Sequence, residues 1–141
     1  PALLQPFLAA AEAVGVPIVL LHCYPYHRQA GWLSQVYPHV YLDVGLTVGQ
    51  LGAAADRVVG ECCELAPFGK LLFSTDGCAV AERYLVGAAQ FRDSFGRVLD
   101  GWVADGRVPR PDAERMVHMV GADNARAVYR LPAGANDGPG A

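Results

Sequence analysis

Three short apolar runs alternate with segments of helical spacing: Ile18-Val19-Leu20-Leu21, Val40-Tyr41-Leu42-Asp43-Val44 and Leu71-Leu72-Phe73-Ser74. Runs this short, rich in aliphatic residues and bounded by Pro or Gly, read as strands buried on both faces. Strands separated by helices pair in parallel through crossover connections, so the expected class is α/β. Leu3, Leu4, Phe7, Leu8, Ala11 and Val14 recur at three- and four-residue steps, which predicts a helix over 2–14 ended by Gly15. The same spacing predicts helices over 29–36, 50–65 and 81–104. After the Gly106 to Pro111 break it predicts a pair over 112–120 and 123–131, with a Pro- and Gly-rich tail, 132–141, expected to be disordered.

In parallel sheets the polar working groups collect at the carboxyl ends of the strands. The first run ends at His22 and the third at Asp76, while Asp43 lies near the end of the second. Strand alternation puts Tyr41, Asp43 and Gly45 on the face opposite Val40, Leu42 and Val44, so Asp43 is expected to point away from the helix layer. A histidine and an aspartate so placed suit a metal-assisted hydrolysis: both are good zinc ligands, and the carboxylate can also take a proton from the attacking water. Taken singly, His22 is as well explained by a bond to a neighbouring carbonyl, and Asp76 by a turn before Gly77.

Composition narrows the partners. The 141 residues are 52% hydrophobic and 18% charged, with a formal net charge of −3. That balance supports one core and offers no broad cationic surface for nucleic acid or anionic lipid. The Val16 to Cys23 stretch is far short of the ~20 residues a bilayer span needs. With no signal-like opening the expected compartment is the cytoplasm. Cys23, Cys62, Cys63 and Cys78 are therefore expected to be free thiols, because the adjacent pair does not have the spacing of a zinc knuckle.

The segments Leu20-Leu21-His22-Cys23-Tyr24-Pro25-Tyr26-His27-Arg28, Val40-Tyr41-Leu42-Asp43-Val44-Gly45, Phe73-Ser74-Thr75-Asp76-Gly77 and Gly121-Ala122-Asp123-Asn124-Ala125-Arg126, in that order, resemble the late strands and closing helix of the amidohydrolase superfamily. The likeness is to amidohydrolase-2-type enzymes, particularly the branch that in some proteins precedes a glutamine-synthetase-like domain. The resemblance covers about 1–131 and implies strands six to eight of a (β/α)8 TIM-type barrel that is incomplete here, since a whole barrel runs to about 250 residues.

What the resemblance implies for the site is specific. Asp76 stands where the family has its strand-eight metal ligand and proton shuttle, and His22 where it has the strand-six histidine that contacts water, substrate or a second metal. Tyr24, His27 and Arg28 would contact a small-molecule substrate, Asp43 is expected from its strand face to reach the same substrate site, and the cofactor would be a divalent metal, commonly zinc. No H-x-H occurs in the chain, so the other ligands and the N-terminal half of the barrel would lie outside it. The expectation is thus a fragment, inactive alone, of a C–N hydrolase. A C–C lyase of the same superfamily and a non-catalytic association module are the alternatives, and homo-oligomerisation stays open. His39 and His118 are expected to be structural, and Asn124 to secure the last helix through backbone hydrogen bonds.

Overall fold

The computed structural model describes residues 2–132. The expected disordered tail lies outside the described residues except for Pro132. Strands β1 (Ile18–Leu20), β2 (Val40–Asp43) and β3 (Leu71–Leu72) form one parallel sheet in the order β1-β2-β3. Helix α1 (Gln5–Glu12) precedes β1, α2 (His27–Val36) joins β1 to β2, and α3 (Thr47–Leu51) with α4 (Ala55–Cys62) joins β2 to β3. Then follow α5 (Ala81–Ala104), α6 (Arg110–His118) and α7 (Asn124–Tyr129). This is the α/β alternation expected, with three parallel strands and a larger share of helix. Among the described residues no helix is long and apolar enough to cross a membrane.

The core sits between the sheet and helices α2, α4 and α5. Leu42, Val44 and Leu71 pack there with Val58, Val59, Cys62, Phe91, Phe95 and Leu99, all buried. Phe73, Phe91 and Phe95 stack in succession, with ring centroids 3.9 and 5.4 Å apart. A smaller cluster of Leu8, Leu33 and Val40 holds α1 and α2 to the start of the sheet. Fully burying a leucine contributes on the order of 2 kcal/mol, and Leu42, Leu71 and Leu72 are all buried; β2, paired with both β1 and β3, is the strand on which the sheet most depends. The outer faces are less covered: Leu3, Phe7, Val14 and Val16 near β1, and Tyr84, Leu85 and Val86 on α5, are exposed.

Several boundaries differ from expectation, each for a local reason. β3 stops at Leu72 and not at Ser74. Val44 N–H makes the last bond to Leu72 O, and beyond it Gly45 N–H turns to the Asp43 carboxylate and Leu46 takes a positive φ, so β2 has left the extended path. The helix expected over 50–65 is split because Gly52 takes a left-handed φ of 55° between α3 and the turn at Gly52–Ala54. α2 begins at His27 and not at Gln29, which removes His27 and Arg28 from the preceding loop. α6 starts at Arg110 with Pro111 in its first turn, where the missing N–H costs nothing, and a π-turn over Met119–Asp123 carries it into α7 without a break. α5 has the limits that the spacing predicts.

Candidate active site at the strand ends

His22 and Asp76 stand just beyond the carboxyl ends of β1 and β3, and His22 Nε2 lies 3.9 Å from Asp76 Oδ2. Both side chains are open to solvent, 41% and 49% exposed, so a small molecule or ion can reach them. Neither is delivered by simple strand pleating. Each has a left-handed backbone, φ 53° at His22 and 48° at Asp76, and Leu46 (62°) and Ala79 (63°) after β2 and β3 do the same. Such conformations are costly for residues with a Cβ and gather where a site must be aimed. Here they turn the chain so that groups on the two outer strands converge across β2.

Asp43 lies beneath the pair. It is buried, accepts hydrogen bonds from Gly45 N–H at 2.6 Å and from the Ser74 hydroxyl at 3.1 Å, and ties the end of β2 to that of β3. Burial pushes its carboxyl above the ordinary value, while the Gly45 and Ser74 donors and the neighbouring His22 pull it back. An anion held in this way is well placed to orient the floor of the site and poorly exposed for substrate contact. Ser74 was the residue that sequence reasoning passed over. Its place two residues after Leu72 was visible, but its bond to Asp43 spans two strands.

His27 and Arg28 belong to another group, on the helix layer. His27 is buried, stacks on Tyr24 with ring centroids 5.5 Å apart, and places Nε2 2.6 Å from Glu61 Oε2 on α4. Arg28 holds Glu64 at 2.9 and 2.6 Å, and Arg57 holds Glu61 at 2.9 and 3.0 Å. Tyr24, half-exposed, bridges this group and the loop that carries His22. The structure therefore unites His22, Asp76 and Asp43 at the strand ends and takes His27 onto Glu61 of α4 and Arg28 onto Glu64 just after it.

The His27 contact, and after it Arg57 and Arg28, holds the Glu61 carboxyl below the ordinary value of 4.5. A depressed acid stabilises the fold above its unfolded value and loses that contribution as pH falls through the folded value. Glu61→Gln is accordingly expected to lower the urea midpoint at pH 6 and to match the parent protein in strong acid. Urea curves run parallel at every pH would refute the linkage.

The remaining candidates are structural. Asn124 Nδ2 donates to Phe68 O at 2.6 Å and to Leu71 O at 2.8 Å, fastening α7 to the entry of β3. The four cysteines are free. Burial, with Asp43 nearby, pushes the Cys23 thiol up to about 11, and burial pushes Cys63 to about 12, so both stay protonated and unreactive at neutral pH. Among the described residues no group of three or more His, Cys, Asp or Glu side chains is arranged to hold a metal ion.

No protein-family model matches the chain. Protein fluG of Emericella nidulans is 35% identical to it over 133 residues, 93% of this chain and 15% of that protein. A crystal structure of a Lactobacillus casei protein assigned as a metal-dependent hydrolase superposes with a TM-score of 0.80 at 32% identity, over 92% of this chain and 34% of that one. The chain shares its fold with a segment of that protein. It spans about a third of the length of the one and about a seventh of the other.

Proposed function

We propose that residues 2–131 are the last three strands and closing helices of an amidohydrolase-type (β/α)8 barrel, and that the protein containing them is a metal-dependent hydrolase of C–N bonds. The observation that carries the reading is the approach of His22 to Asp76 at the strand tips, on two left-handed residues. The consecutive parallel order β1-β2-β3, the apolar residues left exposed beside β1, and the likeness to a protein assigned as a metal-dependent hydrolase all support it.

The donors suit a divalent cation. Zinc takes imidazole nitrogen and carboxylate oxygen at about 2.0–2.2 Å, so two ligands of one ion lie roughly 3–4 Å apart, and 3.9 Å falls within that span. When bound, such an ion makes a water acidic enough to attack an amide carbonyl at neutral pH. Asp76 is placed to accept the proton and pass it to the leaving nitrogen. His22, as the other donor of the pair, would hold the ion against Asp76 through Nε2. Asp43 and Ser74 keep the strand ends in register beneath them. With two donors of the usual four, this chain by itself is expected to bind metal weakly and to turn over no substrate.

The test is a zinc titration followed through the imidazole resonances of His22. The expected result is a shift confined to His22 and the residues around Asp76, with about a tenfold loss of affinity in Asp76→Asn. An unmoved His22, or an affinity untouched by Asp76→Asn, would overturn the assignment. Joined to the upstream strands, the parent protein should hydrolyse amides, and Asp76→Asn should abolish that activity.

A further inference from the structure

Beside Asp76, between α3 and the first turns of α5, opens a cavity of about 360 Å³ whose wall includes Gln50, Thr75, Asp76, Glu82, Arg83 and Val86. The volume is that of a small-ligand pocket. Glu82 and Arg83 carry opposite charges into the same space, and among the described residues neither side chain has a partner. This contrasts with Arg28, Arg57, Arg97 and Arg110, each held within 3 Å of a carboxylate. An unpaired guanidinium presents a fork that matches a carboxylate, and an unpaired carboxylate matches an ammonium. Arg83 is the third residue of the 24-residue α5, whose N-terminal end adds positive potential on the same side. Val86 supplies an apolar wall for a short aliphatic chain.

We propose that this cavity receives the head group of an α-amino acid unit, with Arg83 on its carboxylate and Glu82 on its ammonium group. A substrate so anchored carries its side-chain amide towards Asp76, on the same wall. The proposal names a substrate class for the strand-end site and so rests on the hydrolase reading above. Neither charge alone would select this class. The two together favour a zwitterion over a simple acid or a simple amine, because each singly charged ligand leaves one of the two groups unanswered.

The experiment is a titration of the metal-free chain, in the presence of a chelator, with L-norvaline, valerate and butylamine, three molecules that share an aliphatic chain and differ in their charged groups. Amide resonances of Gln50 and Gly87 report on the cavity. L-Norvaline is expected to bind about tenfold more tightly than valerate or butylamine. Arg83→Gln should weaken both L-norvaline and valerate about tenfold, and Glu82→Gln should bring L-norvaline down to the affinity of valerate while leaving valerate unchanged. Both residues are exposed on the helix surface, so the variants should keep the parental spectrum away from the cavity. The proposal is overturned if L-norvaline leaves Gln50 and Gly87 unmoved, binds no better than valerate, or is indifferent to either substitution. Since no metal is present, this titration can fail while zinc still shifts His22, and it can succeed where zinc does not, which separates the two readings.

Discussion

Replacing Gly45 by alanine is expected to destabilise the chain by about 3 kcal/mol and to disturb the strand-end site from below. A Cβ at this position would meet the Ser74 hydroxyl and lie 2.7 Å from both Asp43 Oδ1 and the Ser74 carbonyl oxygen. The hydroxyl can rotate away. The carbonyl cannot, because it belongs to the backbone just beyond β3, so the ends of β2 and β3 must separate. Separation also strains the 2.6 Å bond from Gly45 N–H to Asp43 and the 3.1 Å bond from Ser74, the two donors that keep a buried carboxylate satisfied. Losing either adds to the steric cost. Urea unfolding of Gly45→Ala is read beside Gly49→Ala, where a Cβ meets nothing within 4 Å and the change within α3 is expected to be neutral or stabilising. A loss under about 0.5 kcal/mol at Gly45 would show that the strand ends are not held in this way.

The dependence on Gly45 shows which parts of the molecule a sequence can disclose. Local period placed the three strands and helix α5, because aliphatic runs and three- and four-residue spacings act over a few residues. The left-handed turns at His22 and Asp76 were not legible. Both residue types tolerate that region, but nothing nearby distinguishes a pleated tip from a turned one. His27 and Arg28 were assigned to the His22 loop on proximity in sequence, whereas their partners, Glu61 and Glu64, lie 34 and 36 residues further on. Glu82 and Arg83 carry no local feature that sets them apart from other charges on a helix. Only the packing of α3 against α5 reveals that they share a cavity with Asp76. Apart from those turns, what escaped was a pairing between distant segments.

Asn124 offers the sharpest contrast between a side chain's size and its hydrogen-bonding sense. Its Nδ2 donates to two backbone carbonyls, Phe68 O and Leu71 O, and the residue is 7% exposed. Asn124→Ala leaves both carbonyls short of a donor, at an expected cost of about 2–3 kcal/mol. Asn124→Asp keeps the shape and reverses the chemistry: an ionised carboxylate has no proton to give and faces two oxygens that also have none. At pH 7 the aspartate variant is therefore expected to lose about 4 kcal/mol, more than alanine, a large part of the 5–15 kcal/mol that holds a domain folded. Repulsion and burial would raise the carboxyl's folded pKa above its unfolded value, so stability should return as pH falls, when the protonated acid can donate to one carbonyl. Chemical denaturation at pH 7 and pH 4 decides the matter. An aspartate variant as stable as alanine at pH 7, or one that does not recover in acid, would mean that α7 is held to β3 by packing alone. If the ordering holds, the Phe68–Lys70 turn that leads into β3 is positioned by Asn124, and the alignment of Ser74 and Asp76 depends on a residue some fifty positions away.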